Sequence, residues 1–109
     1  MNCSCNYMPC TCGCKENIEG KKYDDGKLRW DLLPISVIKE VIKVLTHGAE
    51  KYGEFNWQKV EPHKTRYYNA TMRHITQWWE VEKNDKDTKL HHLAHAICCL
   101  LFLIWRDKK

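Results

Sequence analysis

The 109-residue sequence has no hydrophobic run long enough to cross a bilayer; the longest, Ala96 to Trp105, has ten residues. It has no basic-then-apolar start of the signal-peptide kind and no block of like charge that would read as a nucleic-acid arm. No segment alternates with period two, so sheet is not expected, and no internal repeat is visible. Paired C-x2-C, the usual mark of a structural zinc site, is missing as well. These absences point away from membrane and secreted classes, so a soluble, cytoplasmic protein with little strand is expected.

What is present fits one small domain. A hydrophobic content of 43% is enough for a packed core. Five Trp, five Tyr and two Phe are a heavy aromatic load for this length. So small a domain leaves much surface exposed, and some rings are expected at a subunit interface. The formal charge of +4 suits an anionic ligand without choosing between a nucleotide and a nucleic acid.

The seven cysteines are unevenly placed. Cys3, Cys5, Cys10, Cys12 and Cys14 crowd the start as C-x-C-x4-C-x-C-x-C, which divides the chain into a Cys-rich tail (1–20) and a body (21–109). Thiolates at this density are candidate ligands for Zn2+, against the alternative of a reactive tail with no fold of its own. Cys98 and Cys99 lie in the most apolar segment, where free cysteine packs as a small hydrophobe.

Three helices account for the body. From Pro34 to Tyr52, Ile35, Ile38, Val41, Ile42, Leu45 and Ala49 recur on one helical face, with Pro34 suited to the first turn and Gly53 to the residue past the end. A second helix is expected from Thr65, as N-cap, to Lys83, with Tyr68, Met72, Ile75 and Trp79 as its apolar stripe. A third is expected from Thr88 to Arg106, with Leu90, Leu93, Ile97, Leu100 or Leu101, and Ile104 on its buried side. The class is all-α. Because the third helix is apolar nearly all round, self-association into a larger bundle is expected.

The chemistry-bearing residues gather at helix ends. His47 and Glu50 lie three apart near the end of the first helix, Glu82 and Asp85 near the end of the second, and His92 and His95 at the start of the third. Carboxylates so gathered suit Mg2+ or Mn2+, which take oxygen ligands; a solvated turn is the plainer alternative. Lys27, Arg29, Lys51 and Arg73 offer charge for phosphate. The loop from Tyr52 to Trp57 offers rings for a base and, in Asn56, an amide for its edge; core packing is the other reading of Trp57.

The segment Lys22-Tyr23-Asp24-Asp25-Gly26-Lys27-Leu28-Arg29-Trp30-Asp31-Leu32-Leu33-Pro34 resembles the opening of the phage dATP/dGTP diphosphohydrolase N-terminal-domain family. The resemblance continues through Gly48-Ala49-Glu50-Lys51-Tyr52-Gly53, Asn56-Trp57, Arg73-His74, Glu82-x-x-Asp85 and Leu90 to His95, and covers residues 21–105. That family is similar to the MazG-like all-α nucleoside triphosphate pyrophosphohydrolases, which bind Mg2+ through E-x-x-E and E-x-x-D motifs. Glu82 and Asp85 match the second motif and Glu50 the later position of the first, whose earlier position is His47 here. Lys89 stands where members tend to carry glycine.

The resemblance implies hydrolysis of purine (deoxy)nucleoside triphosphates to monophosphate and pyrophosphate. Glu50, Glu82 and Asp85 would hold Mg2+ or Mn2+, with His47 or His92 as a further ligand or base. Lys27, Arg29, Lys51, Arg73 and His74 would meet phosphate, and Asn56 and Trp57 the base. A second reading is an inactive protein that sequesters a cyclic or modified nucleotide, as in phage counter-defence. A third is a nucleic-acid-binding module using the Cys tail as a metal knuckle.

Overall fold

The structure is a computed structural model that describes residues 20–109. The Cys-rich tail and its candidate Zn2+ ligands lie outside the described residues. The described residues fall into two units, one ending at Trp30 and the other Asp31–Lys109. The described part of the first unit is exposed and turns at Gly26, where Lys27 N–H donates to the Asp24 carbonyl at 3.0 Å. Gly26 has φ +81°, a left-handed conformation that only glycine adopts freely.

The second unit is all-α among its described residues. It holds α1 (Ile35–Tyr52), α2 (His63–Glu80) and α3 (His92–Asp107), with a 3-10 turn at Asn56–Gln58. α1 begins and ends where its sequence signals put it. The Pro34 carbonyl accepts from Val37 and Ile38, and Gly53, at φ +99°, donates its N–H to Ala49. α2 starts at His63, just after Pro62, rather than at a Thr65 cap, because Pro62 fixes the entry and already accepts from Arg66 N–H. It stops at Glu80, so Glu82 falls beyond the helix.

α3 starts at His92 rather than Thr88. The His91 side chain caps it by accepting from Leu93 N–H at 3.1 Å. Residues 83–91 form a tight loop. Asp85 N–H donates to Leu90 and Lys89 N–H to Asp85, both at 2.8 Å, while His92 N–H reaches Lys83 at 2.9 Å. Thr88 sits inside this loop, and Lys89 takes the left-handed φ of +67° that glycine would adopt without strain.

α3 packs along α2 and, less extensively, against α1. The core consists of Val41, Val44, Ala94 and Cys98, flanked by Leu45, Leu90, Ile97 and Phe102. The buried line of α3 therefore runs through Ala94, Ala96, Cys98 and Cys99, while Leu100, Leu101 and Ile104 are exposed. Small side chains let a neighbouring helix approach closely, which explains why they, and not the leucines, face inward. Burial pushes the Cys98 thiol up to about 12 and Cys99 up to about 11, so both stay protonated. Cys98 donates its S–H to the Val41 carbonyl at 3.4 Å.

The stripe expected to bury α2 faces outward. Tyr68, Met72, Ile75 and Trp79 are all exposed, whereas His63 and Thr71 are buried and Tyr67 and His74 half-buried. No described helix is long and apolar enough to cross a membrane.

Candidate functional site

A cleft of about 810 Å3 opens among the second half of α1, the segment that follows it, α2, the 83–91 loop and α3. That volume is typical of small-molecule sites. Its polar lining includes His47, Lys51, Glu54, Asn56, Arg73, His74, Asp85, Asp87, Thr88 and His95, and its rings are Tyr52, Phe55, Trp57, Tyr67 and Phe102.

One wall is aromatic. Trp57 stacks on Phe102 with centroids 4.4 Å apart and 10° between planes, and meets Trp105 edge-on at 5.0 Å. One face of Trp57 is thus committed to packing. Tyr67 closes on Phe102 at 5.1 Å. The segment between α1 and α2 is tied to the end of α3 by Arg106, which donates to Glu61 at 2.8 Å and to the Gln58 carbonyl at 3.4 Å.

His74, His95 and Asp85 of the lining connect to His92 and Glu82 in a cluster of three histidines and two carboxylates. His74 Nδ1 lies 2.9 Å from His92 Nδ1, and His92 Nε2 lies 3.1 Å from Glu82 Oε2. His74 stacks on His95, with centroids 4.5 Å apart and 8° between planes. Thr88 organises the rest. Its hydroxyl donates to Asp85 Oδ2 at 3.1 Å and accepts from Leu90 N–H at 3.2 Å. A hydroxyl has one proton, so the 2.8 Å contact with His95 must run from His95 Nε2–H to Thr88.

The electrostatics follow from this packing. Burial, reinforced by His95, His92 and Arg73, pulls His74 down to about 4, so its ring is neutral at pH 7. Burial also lowers His95, against the opposing pull of Asp85. Burial raises Asp85, but its bond to Thr88, the neighbouring His95 and two backbone amides outweigh this and leave it below the ordinary carboxylate value.

The fold thus brings His47, Lys51, Asn56, Trp57, Arg73, His74 and Asp85 to one cleft. It does not bring Glu50 there: that side chain is exposed and does not line the cleft. Glu82 and His92 are not part of the lining and are bonded to each other, with His92 buried. Lys27 and Arg29 fall in the unit that ends at Trp30. Among the described residues no three His, Cys, Asp or Glu side chains are gathered as a metal site. Glu82 is bonded to His92 and Asp85 to Thr88, each through one carboxylate oxygen. Thr88 is a loop residue at the site rather than a helix start, and His74 pairs with His92, eighteen positions away. No periodicity signals either.

Comparison with known proteins adds three findings. Residues 17–109 match the family model described as dATP/dGTP diphosphohydrolase, N-terminal. A protein of Salmonella phage PMBT28 named dATP/dGTP diphosphohydrolase is 39% identical over 88 residues, covering 79% of this chain and 29% of that protein. The chain therefore spans less than a third of that relative's length. No solved structure matches.

Proposed function

The chain belongs to the dATP/dGTP diphosphohydrolase N-terminal family, and from that premise we propose that its cleft hydrolyses purine deoxynucleoside triphosphates to monophosphate and pyrophosphate. The observation that carries this reading is the cleft itself, where cations, rings and imidazoles stand together. Arg73 and Lys51 neutralise the phosphates, Arg73 with the fork geometry that suits them. Tyr52 and Phe55, both exposed, offer faces to the base, and Asn56 offers an amide to its edge. A divalent cation such as Mg2+ enters with the triphosphate as its counter-ion.

A second reading is favoured by one specific observation. Glu50 stands outside the cleft and Glu82 is bonded to His92, which suits a protein that holds a nucleotide without turning it over. The two separate in one experiment. Purified chain is incubated with a panel of dNTPs, NTPs and cyclic nucleotides, with Mg2+ or Mn2+, and the products are separated by chromatography. Monophosphate and pyrophosphate establish hydrolysis and name the base. Ligand recovered unchanged from the protein fraction establishes sequestration. Neither turnover nor binding sinks both.

The outward stripe of α2, with the exposed leucines of α3, supports a companion proposal that the chain self-associates through these faces.

A further inference from the structure

We propose that Glu54 makes the cleft selective for guanine over adenine, its carboxylate accepting from N1–H and from the 2-amino group while Phe55 stacks on the base. The proposal rests on the nucleotide reading above and narrows its substrate class from purine to guanine.

Glu54 sits in a turn of defined shape. The Gly53 carbonyl accepts from Asn56 N–H at 3.2 Å, which makes Glu54 and Phe55 the two central residues of a tight turn. Phe55 has φ +60°, a left-handed value that strains a bulky side chain. Burial does not offset that strain, because Phe55 is 62% exposed. The strained turn instead holds an aromatic face out at the cleft, near the equally exposed Tyr52. Just past the turn, Trp57 stacks on Phe102 and fixes the segment to α3.

Glu54 lines the cleft, yet its carboxylate has no hydrogen bond or ion pair with another described residue. A carboxylate repels phosphate, so in a cleft that receives a triphosphate it must meet another part of the ligand. The other two carboxylates of the lining, Asp85 and Asp87, belong to the 83–91 loop, whereas Glu54 directly precedes Phe55. A carboxylate only accepts hydrogen bonds. On its base-pairing edge guanine presents two adjacent donors, N1–H and the 2-amino group, and can bond both carboxylate oxygens. Adenine presents its 6-amino group beside a bare N1, whose lone pair would face one of those oxygens. Guanine therefore gains a bidentate contact, and adenine meets a repulsion. Asn56 adds no such bias, because an amide both donates and accepts and so reads either purine.

The test compares dGTP, dITP and dATP on the full chain with Mg2+, reading kcat/KM where turnover occurs and Kd by calorimetry where it does not. dGTP is expected to be preferred to dATP by roughly 10–100-fold, the discrimination of a good bidentate contact. dITP, which lacks the 2-amino group, is expected to fall between them. Glu54→Gln keeps the length of the side chain, and its amide offers adenine a donor for N1 and an acceptor for the 6-amino group. It is expected to reverse the order in favour of dATP, an outcome that loss of structure would not give. Phe55→Gly relaxes the turn and removes the ring, and is expected to weaken all three nucleotides without changing their order. No preference for dGTP in the wild type, or an unchanged order in Glu54→Gln, overturns the assignment. Guanine-selective binding without turnover overturns the hydrolytic reading and leaves the role of Glu54 standing; binding of none of the three overturns both.

Discussion

Helix α2 has two faces of opposite character, and they are reversed from the usual arrangement. The inner face carries His63, Tyr67, Thr71 and His74; the outer carries Tyr68, Met72, Ile75 and Trp79. A surface helix normally turns its apolar stripe to the core. Here the polar residues face α3 because the site is built at that contact: His74 bonds to His92, and Tyr67 meets Phe102. Burying polar groups is tolerable where partners satisfy them. Thr71 donates to the Tyr67 carbonyl at 2.7 Å, although neither ring nitrogen of His63 has a partner. The apolar stripe is left for another surface.

Two aromatic truncations on this one helix set the faces against each other. Tyr67→Ala removes edge contacts to His63 and Phe102 and is expected to destabilise the fold by about 3 kcal/mol in denaturant titration. Trp79→Ala, on the outer face, is expected to change the stability of the isolated chain by less than about 0.5 kcal/mol. Equal losses would break the distinction. The outer face is then tested directly by Met72→Glu with Trp79→Glu. Each apolar side chain is worth about 1.5–3 kcal/mol on burial, so the pair is expected to shift the chain to monomer in sedimentation. A wild type that stays monomeric at high concentration would mean the stripe has no partner of its own kind.

On the inner side, Arg73→Ala is expected to weaken nucleotide binding by about 1.5–3 kcal/mol in calorimetry, the usual worth of a charged hydrogen bond. Stability should also depend on pH with a definite sign. His74 is lowered from 6.5 to about 4 on folding, so between those values the unfolded chain binds a proton that the folded chain refuses. Melting temperature is therefore expected to fall as pH drops through that window. His63 and His95, also lowered by burial, act in the same direction. His74→Asn should flatten the slope. The loop offers a modest gain: Lys89→Gly relieves a left-handed φ and is expected to stabilise by roughly 1 kcal/mol in denaturant titration.

Much of this was legible in the chain. Helix α1 was readable end to end, because its apolar spacing, Pro34 and Gly53 are local signals. The cleft residues from Lys51, at the end of α1, to Trp57, with Arg73, His74 and Asp85, stand in ordered motifs that resemble the family. Glu50 and Glu82 stand in motifs just as clear, yet the first remains in solvent and the second is bonded to His92. A motif fixes residue type and spacing, not the direction a side chain takes at a helix end.

The sequence by itself determined that there are three helices and where α1 begins and ends, because apolar periods and the signals of Pro34 and Gly53 act over one or two turns. Only the tertiary structure decided which face of each helix turns inward. Spacing marks a stripe at 68, 72, 75 and 79 as apolar but says nothing of what covers it. The choice is made by α3, whose small residues and histidines accept the polar side of α2 and bring His74 against His92.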